Sequence, residues 1–420
     1  MPVDRDAARA LTDTLETRLA DALRGDAVDR RTVLGAMGLA GAGAAGLAGG
    51  ASANGGGHDQ DGGDDHHGAF GARGEYGDGF DPHEFLRTFN TGYDGQSNLT
   101  QRVYEEDGDR VREFEVNAVD TTVEIAPGVE FSAWAFQGQV PGPTLRVTEG
   151  DLVRIVFRNG SEHAHTIHPH LKNTNPVMDG VPTNGPGVLE EGESFTYTWR
   201  AQPAGVHLYH CHSLPLKAHI HRGLYGTIVV DPDPERVAER PADYCDSHPS
   251  QVTPELRDDL VAEAETRNHE YDANDDVDEM VMVMNGFDTN FDGDNEVYAA
   301  NTRAFAYGVG DTDGKGDTEP RETVHPITID RTERQRIYLV NTIEFDLVNS
   351  LHTHSQFFDY YDHGTTLTPT HDTIDTIMQC QAQRGIVELD YGDHQPGLYM
   401  FHAHQSEFAE LGWMSFFEVV

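Results

Sequence analysis

The chain has 420 residues, with 29 Lys and Arg against 72 Asp and Glu and a formal net charge of −43. Such a surface repels nucleic-acid phosphates and anionic bilayers, which excludes both as partners. Three cysteines cannot build a disulfide scaffold, and self-repulsion of this size points to a protein made for concentrated, screening salt.

Residues 1–53 read as an export signal. Arg30-Arg31 precede a Gly/Ala-rich apolar run from Val33 to about Leu47, and Ala51-Ser52-Ala53 is a small-residue cleavage pattern. Paired arginines before such a run mark twin-arginine export, and the run is too short and glycine-rich for a stable membrane span. The expectation is a chain exported to the cell surface or exterior. Residues 54–112 follow as a Gly/Asp-rich linker and N-terminal extension, its first part disordered.

Residues 113–232 hold short strand-like segments separated by turns: Val119–Ile125, Leu152–Phe157, Phe195–Trp199, Val206–Tyr209 and Gly226–Val230. Regular turns and little helix predict an antiparallel sandwich or barrel. Residues 233–275 form a linker with one helix, about Pro254–Arg267, capped by Thr253. Strands return over 276–420, among them Arg336–Asn341, Phe345–Leu347, Leu398–His402 and Met414–Val419. Each β region has a strand ending near one His pair and a later strand running into a second, which reads as an internal repeat. The expected fold is all-β: two sandwiches behind a disordered signal and linker region.

Four segments carry the chemistry: His165-Thr166-Ile167-His168-Pro169-His170, His210-Cys211-His212, His352-Thr353-His354 and His402-Ala403-His404. Each contains His-x-His. Residues two apart on a strand share a face, so each pair aims two imidazoles at one point. Imidazole ligates copper, zinc, iron or nickel. Copper is singled out by Cys211, which lies among histidines with His165 upstream and His219 downstream. One thiolate with two imidazoles and a weak or absent axial group is the blue-copper arrangement. Leu224 stands where an axial methionine often sits, which should raise the reduction potential.

These motifs resemble those of multicopper oxidases, specifically the two-domain, laccase-like group built from cupredoxin domains, over about residues 113–420. The resemblance implies two cupredoxin-like Greek-key sandwiches, 113–232 with the blue (type 1) copper and 276–420 without one, since Ala403 replaces a cysteine. It implies four copper ions per subunit. His165, Cys211 and His219 would hold type 1, with Leu224 axial and non-ligating. His168 and His352 would hold type 2. His170, His210, His212, His354, His402 and His404 would hold the type 3 pair. His221 competes with His219, but His219 keeps the five-residue step to Leu224. The family role is to take single electrons from a small-molecule or metal-ion donor, such as phenols, aromatic amines, cuprous or ferrous ions. Dioxygen is then reduced to water, with Cys211 linking the two centres. Two-domain relatives are homotrimers with clusters between subunits. The alternative is copper nitrite reductase, which shares the blue site but has an aspartate where His168 stands.

Other residues read more plainly. Glu407 and Glu410, just after His404, are candidate proton-relay acids. Met280, Met282 and Met284 read as one buried face of a strand. Asp288–Gly293 has the acid spacing of a calcium loop but lacks a closing glutamate at Ala299, and reads as a loop. Cys245 and Cys380 read equally as a pair or as free thiols.

Overall fold

The computed structural model describes residues 80–88, 99–126, 128–246, 248–271, 277–308, 311–312, 318–319 and 325–420. The expected export signal and the first part of the expected linker, residues 1–79, lie outside the described residues. All described residues belong to the unit Asp65–Val420.

The first sandwich is built by alternation. Along Leu152–Asn159 the residues Val153, Ile155, Phe157 and Asn159 point inward, and Phe114, Val116 and Ala118 of the long strand Asp109–Ala126 join Val153, Ile155 and Phe157 in one core. One sheet runs Thr100–Glu106, Asp109–Ala126, Leu152–Asn159, Ser194–Arg200, with Val129–Phe136 also paired to the long strand. The facing sheet runs Gly142–Thr148, Tyr225–Asp231, Gly205–His210, His168–Pro169. The second sandwich repeats the plan, with six strands around Val277–Phe287 and Arg334–Asn341 and five around Gly397–His402 and Met414–Val419.

The sheets are mixed, which corrects the antiparallel expectation. Asp109–Ala126 pairs parallel with Leu152–Asn159, and Gly142–Thr148 with Tyr225–Asp231. The second sandwich has the same two parallel contacts, Val277–Phe287 with Arg334–Asn341 and Ile327–Ile329 with Met414–Val419. Strands begin at Thr100 rather than 113. The first strand is too charged to show alternation, and ion pairs such as Arg102–Glu115 at 2.6 Å support it. Among its described residues the segment 233–275 holds two α-helices. Pro254–Arg267 has Thr253 Oγ1 accepting the Leu256 N–H, and the unforeseen Pro234–Glu239 is capped by Asp233. Phe345–Leu347 is not a strand. Phe345 turns the chain at φ 75°, and pairing starts at Val348.

Between the sandwiches, period two resolves the methionine strand. Met280, Met282 and Met284 fill the second core, while Val281 and Val283 face the first sandwich beside Ile125, Phe131 and Leu208. A buried ionic network crosses the same junction. Arg146 bridges Asp231 at 2.9 Å and Glu279 at 2.6 Å; Arg336 reaches Glu388 at 2.6 Å and Glu279 at 3.3 Å; Arg267 of the linker helix reaches Glu263 at 2.8 Å. Such pairs largely repay their own desolvation, so their effect is to fix one docking geometry. Among the described residues no helix is long and apolar enough to cross a membrane.

Candidate copper centres

The first centre gathers at one end of the first sandwich. Cys211 follows directly on strand Gly205–His210, His219 sits on the short helix Leu216–His221, and His165 lies in the loop before His168. All three are buried. The His165 and His219 Nδ1 atoms stand 3.1 Å apart, with Cys211 Sγ 3.7 and 3.3 Å from them. Two ring nitrogens and a thiol converging out of water suit one shared cation better than any pattern of protons. Leu224 is fully buried in the core cluster that includes Cys211; its carbonyl accepts the Cys211 N–H at 3.0 Å. It offers no donor atom. His221 turns away, its Nε2 accepting the Asp288 N–H at 3.0 Å.

Electrostatics prepare these groups. Burial, then the neighbouring His219, pushes His165 down to about 3, and burial takes His219 to about 4. Both are therefore neutral donors near pH 7. Burial pushes the Cys211 thiol up, against the Thr166 and Ser213 N–H groups that point at Sγ from 3.4 and 3.5 Å. Metal binding would release that proton. On the far side of His165, Nε2–H donates to Ser161 Oγ at 3.0 Å, and Ser161 donates on to Asp120 at 3.0 Å. This chain leaves Nδ1 free to ligate. Trp134 packs over both histidines, with ring centroids 5.5 Å from His165 and 4.8 Å from His219. A lone tryptophan in an alternating strand gave no sign of that position.

The other eight histidines form two quartets of nearly identical build. His168 and His210 are directly paired across strands, as are His352 and His402. His170 Nε2 meets His210 Nε2 at 3.1 Å, and His354 Nε2 meets His402 Nε2 at 2.9 Å. His212 packs 5.2 Å from His168, and His404 packs 5.0 Å from His352, between ring centroids. Backbone carbonyls fix the tautomers in matching ways. His168 Nδ1–H donates to Asp179 at 2.6 Å and His352 Nδ1–H to Asp375 at 2.9 Å; His210 donates to Cys211 and His402 to Ala403, at 2.8 and 2.6 Å. Any residue supplies a carbonyl, so sequence carried no trace of these partners. Burial pushes His170 down to about 2 and His210 to about 3.

Among the described residues no ring contact and no metal-sized donor group joins the two quartets. A cavity of about 180 Å³ adjoins the first quartet, and the second sandwich meets it with Thr342, Gln381 and Ala382 rather than with histidines. His354 and His404 are exposed. The donors nevertheless fit copper. They are imidazoles with one Nε2 pair converging in each quartet, and His212 Nδ1 is buried without a hydrogen-bond partner.

Glu407 lies exposed on the helix Ser406–Glu410, with the Tyr298 hydroxyl as an electrostatic neighbour. Asp288, Asp292 and Glu296 do come together, their oxygens taken up by N–H groups of their own loop. All three cysteines are free.

Two cupredoxin-like sandwiches, a buried thiol–imidazole triad and two histidine quartets define a copper oxidoreductase. The chain matches multicopper oxidase family profiles over residues 117–235 and 289–420, and it belongs to the multicopper oxidase family. A solved multicopper oxidase is 41% identical, with a TM-score of 0.62, over 81% of this chain and 97% of that one. The copper-containing nitrite reductase of Neisseria meningitidis serogroup A is 33% identical over 28% of this chain and 30% of its own length. Multicopper oxidase MCE of Talaromyces pinophilus is 40% identical over 25% of this chain and 17% of its own. The match thus spans less than a third of these curated relatives.

Proposed function

We propose that this chain is a laccase-like oxidase. It would take single electrons from small reductants beside the His165–Cys211–His219 centre and reduce dioxygen to water at a three-copper cluster. When bound, copper supplies one-electron exchange at the thiolate centre and dioxygen binding at the cluster. The protein's part is positional. Ser161 and Asp120 orient His165, while Cys211 shares a peptide bond with both His210 and His212, so the two centres are covalently adjacent. His168 and His352 would serve type 2 copper. His170, His210, His212, His354, His402 and His404 would serve type 3, four ions per subunit in all.

The observation that carries this reading is the completeness of the two quartets, each with one Nε2 pair already converged. A nitrite reductase needs only three type 2 histidines and would leave much of the set without work. Because the quartets stand apart within one chain, the reading requires a ring in which the first quartet of one subunit meets the second quartet of the next. A homotrimer fulfils this, and such head-to-tail contacts close rings. The exposed apolar side chains Phe357 and Met378, close to His354 and His352 in chain and strand pairing, suit such burial. Export by the twin-arginine route and work in concentrated salt complete the proposal.

The test is copper-loaded protein in concentrated salt, assayed for metal content, oxygen uptake and nitrite reduction. Four coppers per chain with oxygen uptake supports the oxidase. Two coppers with nitrite reduction and no oxygen uptake would overturn it.

A further inference from the structure

The cavity beside the first quartet has two kinds of wall. Leu208, Leu216 and Ile220 are apolar, while Tyr225, Thr342 and Gln381 bring polar groups to the same space as His168, His170, His210 and His212. At about 180 Å³ it has room for several waters with polar partners. Behind Gln381 lies a carboxylate outside every motif. Gln381 Nε2 donates a hydrogen bond to Glu344 Oε1. Glu344 is half-buried, in the loop that Phe345 turns, and its carbonyl is pinned by Asn295 Nδ2 at 2.7 Å. It therefore stands between solvent and the wall of the histidine cavity.

We infer that Glu344 is the proton-loading residue for the acceptor bound at the first quartet, and that Gln381 is the positioning residue that holds it against the cavity. This rests on the oxidase reading. Reducing one dioxygen to two waters takes four electrons from the donor and four protons from solvent. Glu344 gives its proton to cavity water on the way to the acceptor oxygen and takes another from bulk solvent, so its own charge is restored each time. Nitrite reduction likewise consumes protons, two for each nitrite reduced by one electron to nitric oxide and water. Desolvation by burial, opposed by the Gln381 hydrogen bond and by Lys217, holds the Glu344 carboxyl above the usual carboxylate range. The charged group acting on it is Lys217, from the helix Leu216–His221, while Asp346 on the same loop accepts from Asn295 Nδ2 at 2.9 Å and the Tyr298 hydroxyl at 2.7 Å. A raised value keeps the acid form available at higher pH, and proton supply fails as pH climbs past it.

The test compares wild type, Glu344→Gln, Glu344→Asp and Gln381→Ala, each with copper content measured. For Glu344→Gln, turnover should fall about tenfold to a hundredfold, since general acids contribute of that order or more. The solvent deuterium isotope effect should rise, while anaerobic bleaching of the blue band by the donor stays unchanged. Glu344→Asp should recover part of the rate. Infrared difference spectra against Glu344→Gln should carry a protonated-carboxyl band at mildly acidic pH that is lost as pH rises. Unchanged turnover and isotope effect in Glu344→Gln, or the absence of that band, would overturn the inference and leave the oxidase reading standing. A fully loaded wild type that reduces neither dioxygen nor nitrite would overturn both.

Discussion

Two inactive chains should make an active enzyme. His170→Ala removes one nitrogen of the first converged pair, and His354→Ala removes one of the second. Each variant alone should be near background in oxygen uptake, because every cluster in its ring lacks a ligand. In an equal, randomly mixed population, each site draws its first quartet from one chain and its second from the next. It is intact only when the first comes from the His354→Ala chain and the second from the His170→Ala chain. That is half of one choice times half of another, so about a quarter of the wild-type activity should return. The assay is oxygen uptake per chain after joint refolding, with the unmixed variants refolded in parallel. An outcome no higher than the parents, with the mixed oligomer shown to form, would mean that each cluster is built within a single chain. The separation of the quartets would then have been given the wrong meaning.

Other consequences follow from the same residues. Cys211→Ser should abolish the blue colour and turnover with organic reductants; colour that survives would refute the triad. Arg336→Met leaves Glu388 and Glu279 short of a buried partner and should cost about 3–5 kcal/mol in urea unfolding; a cost under about 1 kcal/mol would refute the clasp. Its pH dependence has a definite sign. Burial pushes Glu388 up, but Arg336, Arg267 and Arg334 outweigh it and hold the carboxyl well below its usual range. That contribution is complete above the unfolded value of about 4.3 and is lost as pH falls through the lower folded value. The advantage of wild type over Arg336→Met should therefore shrink only in acid, which unfolding curves at neutral and acid pH would show.

The clustering of these histidines was legible because their signal is local. His-x-His on a strand fixes direction within three residues, and the structure brings every such pair to a metal-sized group or against one. The helix Pro254–Arg267 was legible for the same reason, through its cap and proline start. What escaped notice depends on distance along the chain. Trp134 reaches His165 and His219 from some thirty residues upstream of His165, and Asp179 and Asp375 act through carbonyls common to all residues. Gln381 and Glu344 meet only because a loop and a turn of the second sandwich fold back together. The strand Thr100–Glu106 was hidden by charge, since its pairing relies on arginine–carboxylate contacts in place of apolar alternation.

The repeat also explains why electrons would enter through one sandwich alone. His212 N–H donates to Thr166 Oγ1 at 2.9 Å, and His404 N–H donates to Ser350 Oγ at 2.8 Å. The Cys211 N–H meets the Leu224 carbonyl at 3.0 Å, as the Ala403 N–H meets that of Trp413 at 3.1 Å. Leu224 N–H returns to His219, and Trp413 N–H returns to Phe408. These contacts superpose His165 on Asn349, Cys211 on Ala403, His219 on Phe408 and Leu224 on Trp413. The backbone around His165, Cys211 and His219 thus has its counterpart in the second sandwich, with the donor side chains replaced and two buried aromatic rings, Phe408 and Trp413, at the matching positions. On the proposed reading the quartets would need no such asymmetry, because each would supply half of one cluster. A ring of identical chains would therefore pair every His165–Cys211–His219 centre with one cluster, and Cys211 lies in the sandwich that carries His210 and His212.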